Sequence, residues 1–311
     1  MKRCLLFVAL LLLTFTAHAR TVYVAEIRGA ISPASAAYFL RVLDEARQRE
    51  AELVVLKLDT PGGLDTAMRE MIQGILASPV PVATFVSPSG ARAASAGTYL
   101  LYASHIAAME PGTNLGAATP VAIGIGGASE KPAATEKPAG EGKANEKARA
   151  PTGTAMEKKA VNDAAAYIRG LAQLRGRNAV WAERAVRDAA SLSAKEALKL
   201  KVVDLVATGL DDLLRQADGR KIESGGGELT LALADVAVVV VAQTWRERLL
   251  AAVANPNLAL LLMMIGVYGL LIEFYTPGFG VSGVVGTVCL LLALYALAML
   301  PINAVGALLL L

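Results

Sequence analysis

Ser95 stands in the run Ser-Pro-Ser-Gly-Ala-Arg-Ala-Ala-Ser-Ala-Gly-Thr at 87–98, where an apolar strand pattern gives way to a helical one. Its small neighbours let a peptide backbone approach the hydroxyl. A helix that begins at the serine aims free N–H groups at whatever the hydroxyl attacks. A nucleophile and half of an oxyanion hole can be built in this way. Ser87 and Ser89 are nearby rivals, but they fall in a Pro/Gly turn. The chain holds only two histidines, and His18 lies in a segment that reads as a signal peptide. Only His105 remains, so a lysine becomes the candidate base.

Two further elements fit that chemistry. Asp59-Thr60-Pro61-Gly62-Gly63-Leu64 closes a strand pattern, and its glycines allow a turn with outward N–H groups. Taken alone, Pro-Gly-Gly is only a turn. Beside Ser95, Gly62 or Gly63 can donate to an oxyanion while the N–H of Ala96 supplies the second bond. The third element is Lys159. A lysine acts as a general base only when neutral, and apolar neighbours such as Ala155, Met156, Ala160 and Val161 favour that form. Lys158 is the adjacent alternative. Asn162 lies three residues on, on the same helical face, where it can orient the amine or a substrate backbone.

The elements that must position these residues alternate along the chain. Val22–Ile31, Glu52–Asp59 and Val80–Val86 read as strands, and Ile106–Met109 and Val202–Val206 as shorter ones. Helical spacing follows Ser32-Pro33, with Ser32 as N-cap, and again follows Gly63. Helices are also expected over Lys159–Leu174, Asn178–Asp188 and Ser193–Leu200. Strand–helix alternation argues an α/β domain built on a mainly parallel sheet. Residues 121–157, rich in Ala, Gly, Glu, Lys and Pro, read as a disordered insertion.

At 55% hydrophobic the chain exceeds the usual share for a soluble protein. Lys2 and Arg3, the apolar run Leu5–Phe15 and Ala17-His18-Ala19 form a signal peptide over 1–19. The expected α/β domain covers 20–209. A connecting segment over 210–254 holds a strand pair within Leu229–Ala242 and an interfacial helix opening at Trp245-Arg246. A membrane region covers 255–311, with spans at about 258–275 and 281–300 and an incomplete third. The net charge of +3 is small and scattered, so nucleic acid is not expected. Of the two cysteines, Cys4 falls in the signal and Cys289 in a span, so no disulfide, thiolate metal site or cofactor is expected in the exported domain.

Several motifs together resemble the membrane-bound ClpP-class serine proteases of the NfeD group. They are Asp-Thr-Pro-Gly-Gly at 59–63, Ser-Gly-Ala-Arg-Ala-Ala-Ser-Ala-Gly at 89–97 and Lys-x-x-Asn at 159–162. Ser-Leu-Ser-Ala-Lys-Glu-Ala-Leu at 191–198 and Glu-Phe-Tyr-Thr-Pro-Gly-Phe-Gly at 273–280 complete the set. The resemblance implies a ClpP/crotonase-like spiral of repeated ββα units followed by C-terminal transmembrane helices. It implies a Ser–Lys dyad of Ser95 and Lys159 and cleavage of apolar polypeptide segments. The implied partners are a stomatin-like (SPFH) membrane protein, the lipid bilayer and a second copy of the chain in a homodimer. The family's long form continues to a small C-terminal β-barrel beyond the point where this sequence stops. Lys2 and Arg3 retain the signal's n-region inside, which places residues 20 to about 244 on the periplasmic side of the cytoplasmic membrane. An inactive protease-like scaffold that binds a stomatin-like protein shares every feature except turnover. A crotonase acting on acyl-thioesters fits less well, because an exported domain does not meet coenzyme A and no paired catalytic carboxylates flank the oxyanion loops.

Overall fold

A computed structural model of the chain describes residues 20–120, 155–224, 227–253, 256–275 and 280–299. The expected signal peptide, most of the expected insertion and the apolar tail after residue 299 lie outside them. The domain is organised by a six-stranded, fully parallel sheet. Its strands are β1 (Thr21–Arg28), β2 (Leu53–Asp59), β3 (Val82–Val86), β5 (Ile106–Met109), β8 (Leu205–Val206) and β11 (Ala237–Val240). They lie in the order β11-β1-β2-β3-β5-β8. The central strands are apolar on both faces: Leu53 to Leu56 and every residue of β3 are buried. Helices cover such strands on both sides.

Two helices follow the first two strands. α1 (Pro33–Gln48) starts as its sequence requires, with Ser35 N–H donating to Ser32 Oγ and Ser32 N–H donating to Ser35 Oγ. It buries Ala36, Tyr38, Phe39, Val42 and Leu43. α2 (Asp65–Ala77) buries Met68, Met71, Ile72 and Ile75 in the same core. α3 (Ala96–Ala103) is buried along its whole length, which explains its apolar composition all round. α4 (Ala155–Leu174), α5 (Ala179–Arg187), α6 (Ala194–Lys199) and α7 (Leu210–Ala217) complete the domain.

A second sheet sits where the first ends. β4 (Arg92–Ala94) pairs in parallel with β6 (Asn114–Gly116), which pairs antiparallel with β7 (Ser191–Ser193). These three-residue strands carry no readable alternation, and the sequence reading did not contain them. They supply the turn of the ββα unit expected from the resemblance: after β3, the chain makes a short strand and then a helix.

The structure shifts several expected boundaries. β1 stops at Arg28, because Gly29 at φ +111° turns the chain, and Ile31 forms an isolated bridge to Gly63 instead. α4 begins at Ala155, so residues 155–157 are helix and not insertion. The core does not end at residue 209. Leu213, Leu214, Ala217, Leu231 and Leu233 pack against Val22, Val24, Phe85 and Ile106. The apolar run at 229–242 does not pair with itself. β10 (Gly227–Thr230) forms a hairpin with β9 (Lys221–Ser224), while β11 joins the free edge of β1. Parallel pairing to a strand two hundred residues away leaves no local sequence signal.

Past the sheet, α8 (Trp245–Val253) packs on α1. Arg41 grips it with a fork to Glu247 at 2.7 and 2.9 Å, and Tyr38 donates to the Val241 carbonyl at 2.6 Å. α9 (Pro256–Tyr275) is long and apolar enough to cross a membrane. α10 (Val281–Met299) contains the shorter apolar stretch Val281–Ala296. The two pack tightly, with Gly269 against Gly286 and Gly266 against Leu290.

Candidate active site

The loop that leaves β2 is stitched to the strand that precedes Ser95. Thr60 N–H donates to the Arg92 carbonyl at 2.7 Å, Ala94 N–H donates to the Thr60 carbonyl at 3.1 Å, and the Asp59 carboxylate accepts from Arg92 N–H at 3.1 Å. This zip places the Pro-Gly-Gly turn beside the serine. A Cβ added at Gly62 would lie 2.8 Å from Ser95 Cβ and 3.2 Å from its Oγ. Gly62 adopts φ +122°, so both the conformation and the space require glycine.

Ser95 itself sits at φ 51°, ψ −115°, immediately before α3. A non-glycine residue with positive φ is strained, and such strain persists only where surrounding bonds over-determine it. Those bonds are visible. Ser95 N–H donates to the Gly116 carbonyl at 2.9 Å, and the Ser95 carbonyl accepts from Thr98 N–H at 2.9 Å. Fully buried Thr98 directs its hydroxyl at the Ala93 and Gly116 carbonyls, 2.9 and 3.1 Å away, and accepts from Gly116 N–H. The Ser95 side chain does not cap its own helix. Half-buried Ser95 carries its hydroxyl on a sharp strand-to-helix turn.

That hydroxyl opens onto a cleft of about 290 Å³ lined by Gly63, Leu64, Asp65, Met68, Ser95, Ala96, Tyr99, Ala118, Pro120 and Ala164. The first turns of α2 and α3 both contribute, so two helix N-termini with unpaired N–H groups meet there. Most of the lining is apolar.

The oxyanion candidates separate. Gly62 N–H donates to Thr60 Oγ1 at 3.0 Å, so it is spent inside the loop. Gly63 is exposed and lines the cleft, and its N–H makes no hydrogen bond among the described residues. Ala96 N–H is the first of α3 and lacks an intrahelical acceptor. Gly63 is held in place from behind: Ile31 N–H donates to the Gly62 carbonyl at 2.8 Å and Leu64 N–H to the Ile31 carbonyl at 2.9 Å. Gly63 and Ala96 are therefore the available pair, and Gly62 is the spacer that lets Ser95 approach.

Lys159 and Asn162 stand apart from this group. Lys159 and Lys158 are exposed on the first turns of α4, and neither lines the cleft. Ala165, Ile168, Leu171 and Ala172 form the buried stripe of that helix, with Val161, Ala164 and Tyr167 partly buried beside it. Five residues at 3.6 per turn place Lys159 about 140° around the axis from Ala164. Asn162 Oδ1 accepts from Arg187 Nη1 at 2.9 Å, which ties it to α5 and away from the serine. His105 is not a rival base. Its Nδ1 accepts from Val82 N–H at the opposite ends of the strands, and its ring lines a separate cavity with Arg175 and Lys221. Burial, reinforced by the Arg175 and Arg177 cations, pushes its pKa down to about 3.

Sequence reasoning missed Tyr99, Leu64, Met68, Ala118 and Pro120 in the cleft wall. Tyr99 was findable, since it lies four residues after Ser95 on one helix face. Ala118 and Pro120 were not, because β6 brings them in and that strand has no pattern. Among the described residues no group of His, Cys, Asp and Glu could hold a metal ion.

Comparison with known proteins finds relatives of both the α/β domain and the C-terminal helices. The NfeD1b N-terminal domain matches residues 21–223, and the NfeD integral membrane domain matches residues 257–311. The membrane-bound protease PH1510 of Pyrococcus horikoshii is 37% identical over 290 residues, covering 93% of this chain and 60% of that protein. Membrane protein NfeD1b of Bacillus subtilis is 28% identical over 283 residues, covering 90% of this chain and 56% of that protein. The chain thus spans less than two thirds of the curated relatives it matches. Among solved structures, a membrane-bound stomatin-specific protease, 1510-N, superposes as a lysine-to-alanine variant in complex with a substrate peptide. Its TM-score is 0.63 at 36% identity, over 75% of this chain and 97% of that one. A serine-to-alanine variant of the same protease gives a TM-score of 0.61 at 36% identity, over 73% of this chain and 99% of that one. With its parallel α/β domain, its serine turn and its apolar C-terminal helices, the chain belongs to the NfeD family and carries the integral membrane domain of that family.

Proposed function

We propose that this protein is a membrane-anchored serine endopeptidase in which Ser95 is the nucleophile and Lys159 the general base. The carrying observation is the strained Ser95 turn, whose hydroxyl shares a cleft with the N–H groups of Gly63 and Ala96, all three without a hydrogen-bond partner among the described residues. Neutral Lys159 takes the Ser95 proton, and Oγ bonds to the peptide carbonyl carbon. The carbonyl oxygen becomes an oxyanion held by the two N–H groups. Collapse breaks the C–N bond, and Lys159 returns its proton to the leaving amine. Water, deprotonated by the now neutral Lys159, then attacks the acyl ester, the C–O bond to Ser95 breaks, and Lys159 returns the proton to Ser95 Oγ. General-base action contributes roughly 10²–10⁴ in rate, and each oxyanion donor about 10²–10³. For the amine to reach Ser95, the first turns of α4 must rotate or shift as substrate enters.

The substrate class is an apolar polypeptide segment, as the cleft lining suits. A stomatin-like membrane protein is the proposed partner, since the similar solved domain is a stomatin-specific protease. The proposed arrangement is a multi-pass protein of the cytoplasmic membrane, acting as a homodimer with its catalytic domain on the periplasmic side. The outward position of Lys159 favours a second reading, an inactive scaffold that binds the same partner without turnover.

The two readings separate on a gel. Purified full-length wild type, Ser95→Ala and Lys159→Ala are incubated in nanodiscs with a peptide from the apolar tail of a stomatin-like protein. The protease reading expects cleavage by wild type alone. Equal cleavage by Ser95→Ala overturns it, and peptide binding without cleavage by all three establishes the scaffold.

A further inference from the structure

Arg69 lies on α2, about one turn into the helix, and reaches from there to α4. Its Nε donates to Asp65 Oδ2 at 2.8 Å on its own helix, and its Nη2 donates to Asp163 Oδ2 at 2.8 Å on α4. Its guanidinium carbon stands 4.5 Å from the centre of the Tyr167 ring, also on α4. That ring stacks on Tyr99 of α3 with centroids 6.0 Å apart. Tyr99 in turn donates its hydroxyl to the Ala164 carbonyl at 3.3 Å. Arg69 therefore ties α2 to α4, and Tyr167 and the Ala164 carbonyl in turn tie α4 to α3 through Tyr99.

We propose that Arg69 is a positioning residue that sets the rotation of α4, and with it the approach of Lys159 to Ser95. This rests on the reading of those two residues as a catalytic pair. Arginine suits the task, because its planar fork spans two carboxylates while its face lies on an aromatic ring. A lysine carries the charge without the fork. Asp163 sits four residues after Lys159, and Asn162 beside it is held by Arg187 of α5. The lower half of α4 is thus pinned from α2 on one side and from α5 on the other. Arg69 does not line the cleft, so it acts on the geometry of catalysis and not on substrate contact.

The test uses full-length Arg69→Ala, Arg69→Lys and Asp163→Asn in nanodiscs, with wild type. Asp163 is largely exposed, so its variant carries no risk to folding. Two readouts are taken: kcat and KM on the apolar peptide, and amide hydrogen exchange over residues 158–165. The expected result for Arg69→Ala is faster exchange in that stretch and a fall in kcat of about 10²-fold with KM little changed. Arg69→Lys should recover part of the rate, and Asp163→Asn should speed exchange as Arg69→Ala does. Unchanged exchange in Arg69→Ala overturns the proposal, as does an unchanged kcat once the helix has loosened. If wild type shows no turnover, the catalytic reading falls by itself, and the exchange result still decides whether Arg69 holds α4.

Discussion

Ser95 carries a backbone conformation that costs about 1–3 kcal/mol for a residue with a Cβ. Its neighbours hold it there through the Gly116 carbonyl and the Thr98 hydroxyl. The residue types around it allow a nucleophile but suit a helix cap equally well, and it was the resemblance to the NfeD group that singled Ser95 out. The division of labour between Gly62 and Gly63 was not legible. It depends on Thr60 Oγ1 claiming the first N–H, which two adjacent identical residues cannot announce. Gly63 yields a direct prediction. A Cβ there would lie 2.1 Å from the Ile31 carbonyl oxygen and 2.5 Å from its nitrogen. Gly63→Ala should lower stability by about 1–3 kcal/mol and weaken cleavage by displacing an oxyanion donor. Denaturant unfolding and peptide cleavage read the two effects. An unshifted midpoint with full activity would mean that the loop is not packed on Ile31.

The long elements were readable because each has a strong period or cap. Ser32-Pro33 starts α1 where its capping chemistry demands, and the apolar runs of β2 and β3 are buried on both faces as such runs must be. The short strands β4, β6 and β7 were invisible, since three residues hold no periodicity. β11 was misassigned for another reason: its partner, β1, lies at the far end of the chain. The site suffers from the same two limits. The strand-to-helix turn and the glycine loop could be set beside each other only by asking what an oxyanion hole needs and from the family resemblance. The rotation of α4 could not, because it is set by Arg69, Asp163, Asn162 and Arg187, which arrive from three different helices. Helical periodicity assigns a face, but it does not say which neighbour that face meets.

At the scale of the molecule, the Ser95 cleft and the strand ends around His105 lie at opposite ends of one parallel sheet, and the C-terminal helices pack onto α1 through α8. His105 links protonation to the stability of the whole domain. In the unfolded chain a histidine takes up its proton near pH 6.5 (roughly). In the fold burial holds that step down to about pH 3. Between those values the unfolded state binds more protons, so stability falls as pH drops through that window. His105→Asn keeps an acceptor for Val82 N–H and should flatten the acid side of the stability curve. An unaltered curve would place the acid sensitivity elsewhere. The membrane domain, the cleft and the serine turn together make one central claim, that Ser95 attacks a carbonyl. Its most direct measurement is mass spectrometry of the full-length protein after treatment with a fluorophosphonate. The account predicts a phosphonyl adduct on Ser95, lost when peptide substrate competes. Contradiction would be Ser95 left unmodified by the reagent in protein that is cleaving its peptide at full rate.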